Sequence, residues 1–217
     1  MERWTQAAAD SDAWVARDLA LLTSDDGWRA VRTRGDFSLW SRREPDDGNL
    51  LFRWRLAQVG APAEVVFEGF MRRVLEYHRR WTREFTDGRL VEQLDGRTRV
   101  LYQRFDPGIP GIAKRDLCSA EAVRELAPGR LLASFRSVDR MPHEPGFARI
   151  DWWGAALAAT RPDGRTSELL YLDRENQGGR LPAWFVNLTM PQYLTLQGEA
   201  VRAFFADGGP PELRAPR

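Results

Sequence analysis

The chain has 217 residues, with 32 basic and 31 acidic side chains and a formal net charge of +1. A chain of this length buries a sizeable core as one large or two small domains. The near-balance of charge excludes a general attraction to nucleic acid or anionic membranes, and a single cysteine, Cys118, excludes an internal disulfide and a cysteine-based zinc site.

The beginning of the chain lacks the apolar stretch of a signal peptide, and no later run reaches transmembrane length. We therefore expect a soluble, cytoplasmic protein, unless an N-terminal leader is missing from this chain. Nine tryptophans favour either bulky burial or contact with an apolar ligand.

The first quarter of the chain predicts one helix followed by strands. Residues 11–23 carry a capping residue, Ser11 or Asp12, and then apolar residues on one side, which is typical of a helix. Alternating polarity between turn signals then predicts strands at 28–33, 37–41 and 50–59, the first two forming a hairpin. A polar loop at 45–48 separates the hairpin from the third strand.

After Gly60, apolar residues at helical spacing predict a short helical insert that breaks into two pieces before Trp81. Turn signals then separate a second series of strands, at 90–94, 98–105, 116–126, 131–138, 147–159 and 167–173. Because the turns are short, the strands are expected to form an antiparallel meander.

The last apolar pattern is the longest. Gly178 and Gly179 end the preceding strand, and Pro182 suits the first turn of a helix that continues to about Phe205. Pro191 should bend or loosen this helix in its middle. Its apolar arc is so wide that we predict a lid over a concave sheet, with room beneath it for a ligand. The tail at 208–217 is predicted to be disordered.

Four segments resemble the START (StAR-related lipid transfer) family of the helix-grip, Bet v 1-like superfamily, in its bacterial single-domain form. They are Trp81 after the helical insert, Ile109-Pro110-Gly111-Ile112-Ala113-Lys114-Arg115-Asp116-Leu117, His143-Glu144-Pro145-Gly146-Phe147-Ala148-Arg149, and Gly178-Gly179-Arg180-Leu181-Pro182-Ala183-Trp184-Phe185-Val186-Asn187. Their order and spacing agree over about residues 28–205. The resemblance identifies 1–207 as a single START-like ligand-binding domain.

The resemblance implies an α+β helix-grip fold: a curved antiparallel sheet of about nine strands wrapped around the long C-terminal helix. An N-terminal helix and a short helical insert after the third strand complete it. The implied function is non-catalytic, namely to bind and shield or transfer one lipid or other hydrophobic small molecule. Each buried CH₂ contributes about 0.8 kcal/mol, so an apolar cavity with one or two polar groups suffices for tight binding.

Two other functions stay open. One is an enzyme of the same superfamily, similar to aromatic polyketide cyclases or hydrolases, with Glu121, Arg104 and Tyr102 as acid–base candidates. The other is a sensor whose closed lid is recognised by a partner protein. The common hydrolase, metallopeptidase, phosphate-loop and dinucleotide-binding motifs are absent from the sequence, so we expect no cofactor and no metal.

Strand alternation and the resemblance together propose twelve residues of the cavity. They are Tyr102, Arg104, Leu117, Ser119, Glu121, Arg149, Asp151 and Trp153 on strands, and Phe185, Thr189, Met190 and Tyr193 on the lid. A buried Glu121 needs a cationic partner, for which Arg104 and Arg149 are the candidates; its alternative is a solvent-exposed strand end. The neighbouring Arg115 and Asp116 are interpreted as a structural ion pair.

The histidines and the basic pairs are assigned to the protein surface and not to a metal or catalytic site. Neither His78 nor His143 has metal spacing, and both are expected at the surface. Basic pairs at 42–43, 72–73 and 79–80 are typical of solvated faces, with transient contact of the two later pairs with membrane phosphates as the alternative. We expect a monomer that does not bind nucleic acid.

Overall fold

The computed structural model describes residues 2–45 and 48–214, and within them ten strands form one sheet. The strands are β1 (Arg29–Arg34), β2 (Phe37–Arg43), β3 (Leu50–Val59), β4 (Phe85–Gln93), β5 (Thr98–Phe105), β6 (Lys114–Ala127), β7 (Arg130–Ser137), β8 (Phe147–Arg149), β9 (Asp151–Thr160) and β10 (Ser167–Asn176). Their order is β1-β2-β3-β10-β9-β7-β6-β5-β4, and β8 pairs with β6. All pairs are antiparallel except β6 with β8.

The helices are α1 (Glu2–Thr23), α2 (Ala63–Phe67), α3 (Val74–Tyr77), α4 (Ala183–Phe204) and α5 (Pro211–Arg214). The predicted insert comprises α2, a π-helical turn, α3 and a 3₁₀ turn, and it carries the chain from β3 to β4 at the opposite edge of the sheet. From β4 the strands return to β10, which pairs with β3. This long-range pairing is not part of a simple meander, although the predicted fold class is confirmed.

Several element boundaries differ from the prediction, and three of the differences have a clear physical reason. The N-terminal helix already includes Ser11 and Asp12, whose side chains accept hydrogen bonds from Arg124 instead of capping the helix. The edge strand β4 begins five residues early, because its exposed residues lack an alternating apolar pattern. The strand expected at 147–159 is divided, because the Ile150 N–H donates to the Asp116 carbonyl of β6 (2.8 Å).

The two faces of the sheet are covered by different helices. The N-terminal helix α1 packs on β7, β9 and β10 from outside, and α4 packs on β2 and β3 from inside. A side chain at Gly198 of α4 would place its Cβ 2.6 Å from the Phe37 ring, so glycine permits the close approach of helix and sheet. The helix continues through Pro191, and the Asn187 side chain ties its first turns to Gly48 and Leu50.

The segment after α4 forms two short helical turns. Residues 206–208 form a 3₁₀ turn, and α5 follows with Leu213 buried against the helical insert. Residues 215–217 of the tail lie outside the described residues. In the described part of the chain, no helix is long and apolar enough to cross a membrane.

Candidate ligand-binding cavity

A cavity of about 400 Å³ lies between the inner face of the sheet, the helical insert and α4. Cavities of this size are typical of sites for small organic molecules. The insert contributes Phe70 and Met71, the sheet contributes Leu117, and α4 contributes Val186 and Met190. Most of the wall is thus apolar, and the concave side of the sheet is not filled by the helix.

Aromatic rings form a continuous part of this wall. The rings of Phe135 and Trp152 are stacked, with centroids 4.8 Å apart and an interplanar angle of 6°. Phe70 makes an edge contact with Tyr171 (5.6 Å) and a tilted contact with Trp81 (5.1 Å). All five side chains line the cavity. Because each ring is held by another ring, the wall is a preformed apolar surface.

Two carboxylates of β10, Asp173 and Glu175, interrupt the apolar wall. They occupy alternate strand positions and therefore lie on one face. Asp173 is 2% exposed and accepts a hydrogen bond from Trp152 Nε1 (2.8 Å). Burial raises the pKa of Asp173 well above its ordinary value, and the negative charge of Glu175 adds to this effect.

The pKa of Glu175 is raised to about 7 by burial, although the Gln177 side-chain amide donates a hydrogen bond that opposes the shift. The carboxylate of Glu84 also lines the cavity and raises the pKa of Glu175 further. Within the described ranges, no Arg, Lys or His nitrogen makes an ion pair with Asp173 or Glu175. Both pKa values are raised, so burial favours the protonated form of each carboxyl group in this polar centre.

Several other polar side chains reach the cavity, among them Gln197, Arg115 and His78. Gln197 of α4 is 7% exposed, and its buried Oε1 has no hydrogen-bond partner among the described residues. Arg115 donates to the Ala113 carbonyl, and burial lowers its pKa. Burial lowers the pKa of His78 to about 4, so its imidazole is neutral at physiological pH.

The structure brings six of the twelve sequence-proposed residues to the cavity wall: Leu117, Glu121, Phe185, Thr189, Met190 and Tyr193. The other six lie outside the lining: Tyr102, Arg104, Ser119, Arg149, Asp151 and Trp153. The face proposed on β6 is thus the inner one, and two of its three residues reach the cavity. The residues proposed on β5 and β9 lie on the outer face of the sheet. On β5 the inner side chains are Gln103 and Phe105.

The expected partner of Glu121 is corrected. Glu121 is buried and accepts hydrogen bonds from Arg99 Nε (3.0 Å) and Nη2 (2.9 Å). Arg99 lies directly opposite Glu121 in the pairing of β5 with β6, whereas Arg104 and Arg149 lie on the outer face. Burial still raises the pKa of Glu121, and Arg99 opposes that rise.

The outer arginines belong to a separate polar cluster. Arg149 makes two hydrogen bonds to the Asp116 carboxylate (2.8 and 2.9 Å), and Tyr102 Oη donates to the same carboxylate (3.0 Å). Arg104 pairs with Glu144, which also accepts a hydrogen bond from Tyr102. The predicted Arg115–Asp116 ion pair is therefore wrong, because consecutive strand residues point to opposite faces.

Sequence reasoning missed several residues of the cavity. His78, expected at the surface, lines the cavity with its ring stacked on Phe85 (4.6 Å). Trp152 rather than Trp153 faces the cavity, a choice that two adjacent tryptophans leave undetermined. Asp173 and Glu175 were also missed: the strand predicted at 167–173 ends at Asp173, whereas β10 continues to Asn176 and places Glu175 on the same face.

The sequence and the fold were compared with known proteins. The family described as START domain matches residues 19–202. Human StAR-related lipid transfer protein 5 is similar in fold, with a TM-score of 0.81 at 18% identity, over 92% of this chain and 96% of that chain. A STAR-related lipid transfer protein fragment from Xanthomonas axonopodis gives a TM-score of 0.71 at 20% identity, over 88% of this chain and 100% of that one.

One curated relative is similar in sequence. Protein ENHANCED DISEASE RESISTANCE 2-like of Arabidopsis thaliana is 34% identical over 116 residues, which are 48% of this chain and 16% of that protein. The chain therefore matches a small part of the length of the plant protein. Structural likeness at 18–20% identity establishes the fold alone.

Proposed function

The chain belongs to the START domain family, and we propose that it binds and shields a single lipid or other hydrophobic small molecule in the cavity under α4. The observation that carries the proposal is the cavity of about 400 Å³ with a mainly apolar wall. Water in such a space lacks hydrogen-bond partners along most of the wall, so an apolar ligand gains free energy by replacing it.

We propose that ligand enters between the first turns of α4 and the loop that precedes β6. Phe185 of the helix and Ile109 of the loop both line the cavity and are also exposed to solvent. Trp184 and Leu188 beside them are 67% and 69% exposed. An exposed apolar rim of this kind supports transient contact with a membrane surface during exchange.

The basic pairs of the helical insert supply less support for membrane contact. Arg72 and Arg73 form ion pairs with Glu68 and Glu76, and Arg79 donates to the Phe85 carbonyl. Their charges are thus partly satisfied within the protein. We therefore assign the proposed contact to the apolar rim and not to these arginines.

The enzymatic alternative gains no support from its proposed residues. Tyr102 and Arg104 do not line the cavity, and Glu121 is held by Arg99. An acid–base mechanism requires such groups to reach a bound substrate. We therefore propose a binding function without catalysis.

Native mass spectrometry after mild purification tests the proposal, with one co-purifying apolar molecule per chain as the expected result. A matched pair of variants on α4 locates the site. Met190→Trp fills the cavity and should weaken binding of a fluorescent fatty acid about tenfold or more. Leu196→Trp places the same side chain on the exposed face and should leave binding unchanged. Absence of binding by every lipid class, or equal binding by both variants, contradicts the proposal.

A further inference from the structure

The cavity contains a polar centre that an apolar ligand alone does not explain. We infer that Asp173 and Glu175 form the head-group site, and that the ligand is a cationic amphiphile with a protonated amine on an apolar body. The inference rests on the proposed function of the cavity and adds the charge of its ligand.

The first argument is the contrast with other buried carboxylates. Asp18, Asp116 and Glu121 are each buried and each paired with an arginine. Asp173 is buried to the same degree, and neither it nor Glu175 has a cationic partner in the described part of the chain. An isolated buried carboxylate is costly, so a cation supplied by the ligand would remove a penalty that the protein leaves in place.

The second argument is the supply of hydrogen-bond acceptors. Trp152 donates one hydrogen bond to Asp173 Oδ1, and Gln177 donates one to Glu175; the other lone pairs of both carboxylates are open to a donor. Gln197 Oε1, buried in the same cavity, is a further acceptor without a partner. A primary ammonium group has three donors and no acceptor, which is the complement of this set.

The other titratable groups of the cavity do not neutralise the pair. Glu121 is itself paired with Arg99, and burial raises the pKa of Tyr171 and Tyr193 well above the ordinary value, so both phenols stay uncharged. His78 is uncharged above about pH 4. Arg115 is bonded to Ala113 beside the loop that precedes β6, and it does not lower the pKa of either carboxylate. Glu84 adds negative charge near Glu175. Glu175, whose pKa is raised to about 7, therefore keeps a proton below neutral pH in the free protein, and a bound ammonium would replace that proton.

Replacement of a proton predicts a direction for the pH dependence. The carboxylate of Glu175 loses its proton near pH 7 in the free protein, whereas an alkyl ammonium stays charged to about pH 10. The affinity for an amine should therefore rise between about pH 6 and pH 8, with release of a proton to the buffer. A neutral ligand of the same chain length should show no such rise.

Three probes of one chain length separate the contribution of the head group to binding from that of the tail. They are dodecylamine, dodecanol and dodecanoate. With delipidated wild-type protein, calorimetric titration should show dodecylamine binding about tenfold or more tighter than dodecanol, and dodecanoate weakest. The double variant Asp173→Asn/Glu175→Gln should lose this preference and still bind dodecanol. Glu168→Gln, a carboxyl-to-amide change on β10 outside the cavity, should keep it.

The outcomes of this titration test the head-group site separately from the lipid cavity. Binding of dodecanol as tight as that of dodecylamine, or a preference that survives in the double variant, overturns the head-group site and leaves the lipid cavity intact. Failure of wild type to bind any of the three probes overturns both. If the double variant does not fold, as judged by circular dichroism, the single variant Glu175→Gln provides the same comparison.

Discussion

Trp152 and Trp153 are neighbours on β9, yet their indole groups meet carboxylates in two different situations. On the outer face, Trp153 Nε1 donates to Asp18 (3.1 Å), and Arg136 makes two further bonds to the same carboxylate (2.7 and 3.1 Å). On the inner face, Trp152 Nε1 donates to Asp173 (2.8 Å), and no arginine in the described ranges bonds to this carboxylate.

The difference separates a structural carboxylate from one available to a ligand. Asp18 of α1 and Arg136 of β7 neutralise each other's charge, so this ion pair fixes α1 to the sheet. Asp173 accepts the same kind of hydrogen bond, from the neighbouring tryptophan of β9, but it has no cationic partner among the described residues and faces a cavity instead of a helix. Burial alone therefore does not identify a functional group; burial without a partner beside empty space does.

The largest expected effect concerns the outer carboxylate. Asp18→Asn removes the negative charge and leaves Arg136 buried without a counterion, so the free energy of unfolding should fall by about 3 kcal/mol. Urea unfolding followed by tryptophan fluorescence measures the change. A loss well below 1 kcal/mol would mean that the outer pair is not structural and would break the comparison.

The inner carboxylate should respond in the opposite direction. Asp173→Asn keeps an oxygen acceptor for Trp152 and removes a buried carboxyl group that has no counterion in the described part of the chain, so the delipidated protein should become more stable at pH 8 by roughly 2 kcal/mol. The same urea experiment decides the sign. A destabilisation comparable to that of Asp18→Asn would assign both carboxylates the same structural role.

Much of the fold follows from local patterns, and the parts that do not follow depend on distant residues. The hairpin of β1 and β2 and the start of α4 after Pro182 lie near their predicted positions, because turn chemistry and capping act within a few residues. The pairing of β3 with β10 and of β8 with β6 joins segments far apart in sequence. No local pattern encodes such pairs.

The cavity was predicted less completely, for a reason that Trp152 and Trp153 make plain. Strand alternation states which residues share a face, but it does not state which face is the inner one when both carry large apolar side chains. On β10 the acidic residues Asp173 and Glu175 would ordinarily be assigned to solvent. Their inward position depends on the curvature of the sheet and on where α4 packs against it, and both are known only from the complete fold.

The smallest expected effect is the pH dependence that Glu175 contributes to stability. Its pKa is raised to about 7 from an ordinary value of 4.5, so between these values the folded protein holds a proton that the unfolded chain has lost. The free energy of unfolding should therefore fall as the pH rises through this window, and the contribution is constant below and above it.

Glu175→Gln removes that titration. The difference in unfolding free energy between variant and wild type should grow in favour of the variant by about 1 kcal/mol from pH 5 to pH 6, because all other groups cancel in the difference. Urea unfolding of both delipidated proteins over this range measures it. A difference that is flat with pH would mean that Glu175 is already ionised in the folded protein, and that a cation or water reaches the inner carboxylates as Arg136 reaches Asp18.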